Sequence, residues 1–144
     1  MRLRVIDLAD YILRKLGPMS AMKLQKLVYY SQAWSLVWTE KELFADRIEA
    51  WANGPVVPSL YAKHRGNFRL SKGFFEGDPE RLSAEQRDVV DKVLAFYGDK
   101  DPQWLSNLTH LESPWQMARV GLAPGERGKS LIASESILEY YASL

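Results

Sequence analysis

The chain has 144 residues, of which 47% are apolar, and its 19 basic and 18 acidic side chains leave a net charge of +1. This composition is typical of a folded domain and argues against a disordered chain or a strongly basic nucleic-acid binder. Because it contains no cysteine, disulfides, thiolate metal sites and cysteine nucleophiles are excluded, and a cytoplasmic location is expected. The longest uncharged run is too short to span a membrane, and no secretory signal is recognisable.

The first part of the chain shows helical periodicity. Apolar residues recur every three or four positions over residues 5–16, and Gly17, followed by proline, predicts the end of that helix. Ser20 is placed to cap a second helix, whose apolar positions fall mainly on one side. Lys23 and Lys26 are expected on its other sides.

Residues 40–58 have a different pattern. Short apolar or alternating runs flank the turn sequence at residues 53–55, which predicts a small β-element. Pro58 then favours the start of a short helix that continues to about His64. The glycine-rich stretch at residues 65–79 predicts an irregular surface excursion with one apolar anchor, a pair of phenylalanines.

The second half of the chain carries local helix-capping signals. Ser83 and Gln86 form a capping box before a periodic apolar run, and Asp101 precedes a proline that opens the next helix. Ser113 and Gln116 predict a further capped helix, and a last helix follows a loop. The sequence therefore predicts one domain over residues 1–144, mainly α with a minor β-element (α+β).

Residues 123–130 (APGERGKS) fit a relaxed phosphate-loop pattern, with Ala123 in place of the first glycine. A working loop of this type leaves a buried parallel strand and enters a helix. Here a helix is predicted before the loop, and the 14 residues that follow are too few for another crossover and strand. A solvated loop is the leading interpretation, and a nucleotide-binding enzyme is a remote alternative.

Other catalytic or metal-binding patterns are also missing from the sequence. Neither His64 nor His110 has the spacing of a metal site, and no serine lies in a Gly-x-Ser-x-Gly elbow. His110 beside Glu112 could act as a base, but a histidine near a helix end more often contacts terminal carbonyls. The prediction is a protein without catalytic, cofactor-binding or metal-binding residues, and not an enzyme.

The aromatic content is high, with five Trp, seven Tyr and five Phe. Tyr29 and Tyr30 are adjacent on the second helix, where consecutive residues differ by roughly 100° of rotation. At least one of them is therefore expected to be partly exposed and available for a protein interface. Stacking of single-stranded nucleic acid is not expected, because Lys23 and Lys26 are the only basic residues nearby on that helix.

Three separated motifs stand out, namely residues 23–34 (KLQKLVYYSQAW), residues 48–61 (IEAWANGPVVPSLY), and residues 105–110 (LSNLTH) together with 113–115 (SPW). In order and spacing they resemble the Panacea domain, the SocA-like antitoxin family also found among phage-associated proteins. The resemblance implies a compact, mainly α domain that neutralises a cognate protein toxin, encoded next to it, by direct binding. One family member is similar to a proteolytic adaptor that delivers its toxin to an ATP-dependent protease, which is the alternative function.

The resemblance also guides the choice of interface residues. The toxins of the family are diverse, so its shared motifs are interpreted as fold determinants, here Trp34, Trp51, Gly54, Pro55 and Trp115. The predicted toxin interface is the excursion over residues 65–75, with Tyr29 or Tyr30 and a basic loop as secondary candidates. A solvated loop is an equal or better interpretation of the loop residues, and a homodimer stays open. The candidate interface residues are Tyr29, Tyr30, Arg69, Phe74, Phe75, Arg127 and Lys129.

Overall fold

Helices dominate the structure, a computed structural model that describes residues 3–144. Seven α-helices lie within this range: α1 (Val5–Leu16), α2 (Ala21–Thr39), α3 (Pro58–His64), α4 (Ala84–Tyr97), α5 (Pro102–His110), α6 (Ser113–Ala118) and α7 (Ser134–Ala142). The short strands are β1 (Met19–Ser20), β2 (Glu49–Trp51), β3 (Gly54–Val56) and β4 (Arg69–Leu70), and a 3-10 turn covers Pro79–Arg81. The predicted mainly α fold with a minor β-element is confirmed.

Helix α2 lies at the centre of the fold, where it packs against α1, α4, α5 and α7. Every residue from 24 to 33 is buried, including Lys26. The expectation that α2 is apolar on one side, with Lys26 elsewhere, is therefore wrong. A helix enclosed by other helices has no solvent-facing side over its buried length, so any polar residue there must find its partners inside the protein.

Most predicted caps are present. The Ser20 hydroxyl accepts the Lys23 amide at 3.1 Å at the start of α2. At α4 the Ser83 hydroxyl accepts the Gln86 amide at 3.1 Å, and the Gln86 side chain accepts the Ser83 amide at 2.8 Å. These short-range signals need no tertiary contact, which is why the sequence reveals them.

The predicted cap of α6 is wrong by one residue. Glu112, with extended backbone, is the N-cap, and Ser113 is already the first helical residue. The Gln116 side chain does not return to the start of its helix, because it donates to the His110 carbonyl at 2.9 Å. The carboxyl group of Glu112 is turned toward the core and makes no cap hydrogen bond.

Two small antiparallel sheets complete the fold. Strands β2 and β3 lie where the small β-element was predicted and form an antiparallel hairpin, in which Trp51 is opposite Gly54. Strand β4 pairs with β1, so the stretch predicted as a surface excursion is partly built into the fold, with Leu70 and Phe75 buried. Within residues 3–144, none of the helices is both long enough and apolar enough to cross a lipid bilayer.

Candidate functional site

A cleft of about 680 Å³ opens between the N-terminal end of α2, the β2–β3 hairpin, α3 and the loop between α6 and α7. We call it the basic cleft. The side chains that give it its chemistry are Gln25, Lys26, Trp51, Tyr61, His64, Arg65, Phe68, Arg127 and Lys129. Two segments predicted separately as interfaces, the excursion after α3 and the loop before α7, thus meet at one site.

Lys26 lines this cleft although only 1% of its surface is exposed. Its ammonium donates to the Pro55 carbonyl at 3.3 Å, and within residues 3–144 it forms no ion pair. Burial lowers the pKa of Lys26 to about 8, so the side chain is still mainly protonated at pH 7. The cleft therefore holds a largely desolvated positive charge.

Gln25 and His64 shape the wall beside Lys26. The Gln25 amide oxygen accepts the Val57 N–H at 2.9 Å, and its Nε2 donates to His64 Nε2 at 3.0 Å. A His64 ring that accepts at Nε2 is neutral, in agreement with burial, which lowers the pKa of His64. These bonds hold α2, α3 and the end of the hairpin in fixed relative positions.

The rim of the cleft is positively charged. Arg65, Arg127 and Lys129 are exposed, and none of them forms an ion pair with a described residue. No aspartate or glutamate of the described chain lines the cleft. Four cations, counting Lys26, therefore face this space without an acidic neighbour in its lining.

Aromatic side chains supply the apolar part of the cleft. The rings of Trp51 and Tyr61 meet edge to face with centroids 4.9 Å apart. Phe68 is 86% exposed, which is unusual for a large apolar side chain next to a cavity. Exposed aromatics bordered by charged groups are typical of protein-binding surfaces.

Arg119 fixes the loop that carries Arg127 and Lys129. Its guanidinium donates to the Ala50 carbonyl at 3.0 Å and to the Glu126 carbonyl, and it lies over the Trp115 ring at 5.1 Å. The backbone of the loop is thus tied to strand β2, which positions its basic side chains at the cleft.

The remaining predicted interface residues lie outside the cleft lining. Arg69 and Phe74 are exposed on the excursion. Phe75 is buried, with its ring next to those of Phe74 and His64. Phe75 packs in the core beneath the excursion and is not accessible to a partner.

The expected exposure of Tyr29 or Tyr30 is wrong. Both are buried, because α4 and α7 cover the neighbouring sides of α2. Tyr30 stacks on Tyr97 with centroids 4.1 Å apart, and the Tyr29 hydroxyl lies 3.0 Å from that of Tyr141. The side chains of these adjacent residues point in different directions from α2, and both are buried because α7 covers Tyr29 and α4 covers Tyr30.

A buried polar cluster lies behind these tyrosines. The Glu112 carboxylate accepts the hydroxyls of Tyr30 and Tyr141, both at 2.7 Å. Burial raises the pKa of Glu112, only partly offset by these hydrogen bonds. The cluster is enclosed by the core and does not reach the cleft lining.

The proposed fold determinants occupy packed positions. The Trp34 indole donates to the Tyr97 hydroxyl at 3.1 Å, and the Trp115 indole donates to the Trp51 carbonyl at 2.8 Å. Gly54 and Pro55 form the returning strand of the hairpin, where the Pro55 carbonyl accepts from the buried lysine. Such contacts are those expected of residues that determine the fold.

His110 and Glu112, the possible acid/base pair of the sequence, contact aromatic side chains instead of each other. The His110 ring stacks on Trp115 at 4.1 Å, and its buried Nε2 has no hydrogen-bond partner in the described chain. Glu112 faces the tyrosine cluster, so the two do not form an acid/base pair. Among residues 3–144, no group of three or more potential ligands is arranged to hold a metal ion.

Residues 123–130 are a connecting loop. Helix α6 precedes them, Leu131 forms an isolated bridge with Glu49, and α7 begins only at Ser134. The loop therefore lacks the strand before it and the helix directly after it that a phosphate loop requires.

A second depression of about 650 Å³ lies between the end of α2 and the start of α4. Its lining contains both signs of charge, and Lys41 lies 3.4 Å from Glu85 across it. None of the predicted interface residues lines it. The basic cleft is accordingly the better candidate for a functional site.

The sequence did not identify Gln25, Lys26, Tyr61 or His64 as site residues. Lys26 carries no distinct signal in the sequence, because Lys23 and Gln25 precede it on the same helix and the burial of a lysine is not expected from sequence. Its position beside the hairpin depends on contacts between residues about thirty positions apart.

Comparison with known proteins gives one family. The family model described as "Antitoxin SocA-like, Panacea domain" matches residues 24–116, more than half of the chain. No curated protein and no solved structure matches the chain. The matched region includes the floor of the cleft and its hairpin, whereas Arg127 and Lys129 lie beyond it.

Proposed function

Since the chain belongs to the SocA-like antitoxin family, we propose that it neutralises a cognate protein toxin by binding it directly. The family match carries this proposal, and the resemblance of three ordered motifs in the sequence supports it. A cytoplasmic site of action fits a chain without cysteine.

The geometry of the basic cleft suits recognition of a protein. The cleft is open and preformed, it combines exposed aromatic and basic side chains, and hydrogen bonds from Gln25 and Arg119 fix its walls. Preformed surfaces bind without the entropic cost of ordering a loop. Inhibition by occupancy requires no catalytic group, only free antitoxin at a concentration about a hundredfold above Kd to suppress the toxin about a hundredfold.

Co-expression tests this function. The product of the neighbouring gene is expressed alone and together with this chain, and growth and complex formation are followed. We expect growth arrest by the neighbour alone, normal growth with both, and co-purification of the two proteins. If the neighbour is harmless, or if arrest persists while both proteins accumulate, the proposal fails.

The same cells distinguish occlusion from degradation. Under occlusion, the half-life of the toxin after a pulse of labelling is unchanged or longer when this chain is present. A shorter half-life that depends on an ATP-dependent protease would contradict occlusion and support delivery of the toxin to that protease.

A further inference from the structure

The charge of the basic cleft is uncompensated. Lys26 at its floor and Arg65, Arg127 and Lys129 at its rim form no ion pairs with residues 3–144, and the lining has no carboxylate. The chain as a whole has a net charge of only +1. Positive charge is thus concentrated at this site, and the potential within a concave cleft is focused toward negatively charged partners.

Lys26 supplies a second and independent observation. An ammonium group has three N–H donors, of which one reaches the Pro55 carbonyl at 3.3 Å. Burying a cation without an anion is costly, and an incoming carboxylate is the kind of partner that offsets this cost. A buried lysine that lines an open cleft therefore indicates an anionic ligand.

The N-terminal end of α2, which is the positive end of its helix dipole, also favours an anionic ligand in the cleft. Ala21 and Met22, the first residues of this 19-residue helix, line the cleft, and its first turn contains no acidic residue. The helix dipole therefore adds to the potential of the four cations instead of being neutralised locally.

The arrangement of these groups favours an extended acidic chain over a compact phosphate. The cations come from α2, from the end of α3 and from the loop before α7, so they are spread around the cleft. Trp51, Tyr61 and Phe68 lie between them and offer apolar contacts that a free phosphate cannot use. Residues 123–130 lack the preceding strand and the directly following helix of a phosphate loop.

We propose that the basic cleft binds an acidic segment of the toxin, with one carboxylate directed at Lys26 and flanking acidic side chains at Arg65, Arg127 and Lys129. This inference rests on the proposed antitoxin function and adds the chemical class of the contact. The apolar residues of the same segment pack on the aromatic side chains of the cleft.

A binding experiment tests the inference without the toxin. The full-length protein, labelled with nitrogen-15, is titrated with a deca-glutamate peptide, a deca-lysine peptide, inorganic phosphate and ATP, and amide and indole resonances are followed. We expect the glutamate peptide to shift resonances of Met22, Gln25, Trp51 and Asn53, with an effect that weakens as salt increases.

A charge-reversal pair supplies the matched comparison. Arg127→Glu with Lys129→Glu changes two exposed loop residues of the cleft, and Lys63→Glu with Lys92→Glu makes the same charge change at exposed positions outside both the cleft lining and the excursion. We expect the first pair to weaken peptide binding at least about tenfold and the second by less than about threefold. Equal losses, or no shifts at the cleft, would overturn the inference, as would tighter binding of phosphate or ATP than of the glutamate peptide.

The two pairs also distinguish failure of this inference from failure of the proposed function. In the co-expression assay, we expect the loop pair to lose neutralisation and the control pair to retain it. If the wild-type chain and the loop pair neutralise equally well, the acidic contact is wrong and the antitoxin function stands. If the wild-type chain does not neutralise, the function fails, and the peptide titration still decides whether the cleft binds acidic chains.

Discussion

Gly54 lies directly against the side chain of Lys26. A β-carbon added at Gly54 would stand 2.5 Å from Cε of Lys26 and 2.9 Å from Oγ1 of Thr109. The φ angle of Gly54 is +124°, a conformation that other residues rarely adopt. The hairpin therefore closes over the buried lysine only because glycine occupies this position.

The substitution Gly54→Ala tests this close approach. We expect a loss of about 2–4 kcal/mol in the free energy of unfolding, since backbone strain adds to overpacking against Lys26. Urea denaturation measures the change. Gly121→Ala is the matched control, because its φ is +95° and its β-carbon would meet nothing within 4 Å. Equal losses in the two variants would show that strain alone, and not the contact with Lys26, restricts this position.

The lowered pKa of Lys26 predicts a specific pH dependence of stability. Burial lowers this pKa from 10.5 to about 8, so between these values the unfolded chain binds more protons than the folded one. Stability should therefore rise with pH in this range, by about 2 kcal/mol from pH 7 to pH 9.5 for this group alone. The substitution Lys26→Met removes the contribution, and the difference in unfolding free energy between the variant and the wild type, followed across pH, measures it.

The titratable side chain next to Lys26 on α5 does not add its own pH dependence to this measurement. His110 is the titratable neighbour on α5, and burial together with the charge of Lys26 lowers its pKa, so it stays neutral above pH 7. Lys63→Met, at an exposed position, controls for the loss of a lysine. A Lys26→Met variant whose stability follows the wild type at a constant offset from pH 7 to pH 9.5 would contradict the buried charge.

The contribution of Glu112 to stability should fall as pH rises, whereas that of Lys26 should increase. Burial raises the pKa of this carboxyl above its ordinary value of 4.5, so the folded state retains the proton at pH values where the unfolded chain has lost it. The contribution of this group to stability is present below pH 4.5 and is lost as pH rises through the raised value. The neutral variant Glu112→Gln keeps an acceptor for Tyr30 and Tyr141, so it should gain stability relative to the wild type as pH rises.

Glu112→Ala is the comparison for this prediction. It leaves the Tyr30 hydroxyl without its acceptor inside the core and should cost about 1–3 kcal/mol. Thermal or urea denaturation of both variants between pH 4 and pH 8 provides the measurement. If Glu112→Gln keeps the pH dependence of the wild type, another group is responsible for it.

The parts of the fold that the sequence predicted are those encoded over a few residues. Ser20 and Ser83 cap their helices through amides three positions away, and the chain reverses at residues 52–53, within one residue of the predicted turn at residues 53–55. The burial of Tyr29 and Tyr30 depends instead on α4 and α7, which follow much later in the chain. Helical periodicity describes one helix and does not reveal how many neighbours will enclose it.

The candidate site was predictable only in pieces. The basic loop and the irregular excursion were each recognised by their composition, and both contribute to the cleft through Arg65, Phe68 and Lys129. Their meeting over Lys26 requires the folded chain, since residues about sixty positions apart come together there. The sequence placed Lys26 on the sides of α2 away from its apolar positions, because the periodicity of one helix does not show which neighbours enclose it.

The exposed ring of Phe68 provides the last prediction, which rests on the antitoxin function. Phe68 is 86% exposed at the cleft, so Phe68→Ser should change the free energy of unfolding by less than about 0.5 kcal/mol. Neutralisation should weaken at least about tenfold, because aromatic anchors contribute strongly to protein interfaces. Phe96→Ser is the control, since this ring is 61% exposed on α4 and lies outside the cleft lining. The antitoxin needed for half-maximal growth rescue measures the effect, and an equal loss in the two variants would contradict a toxin contact at the basic cleft.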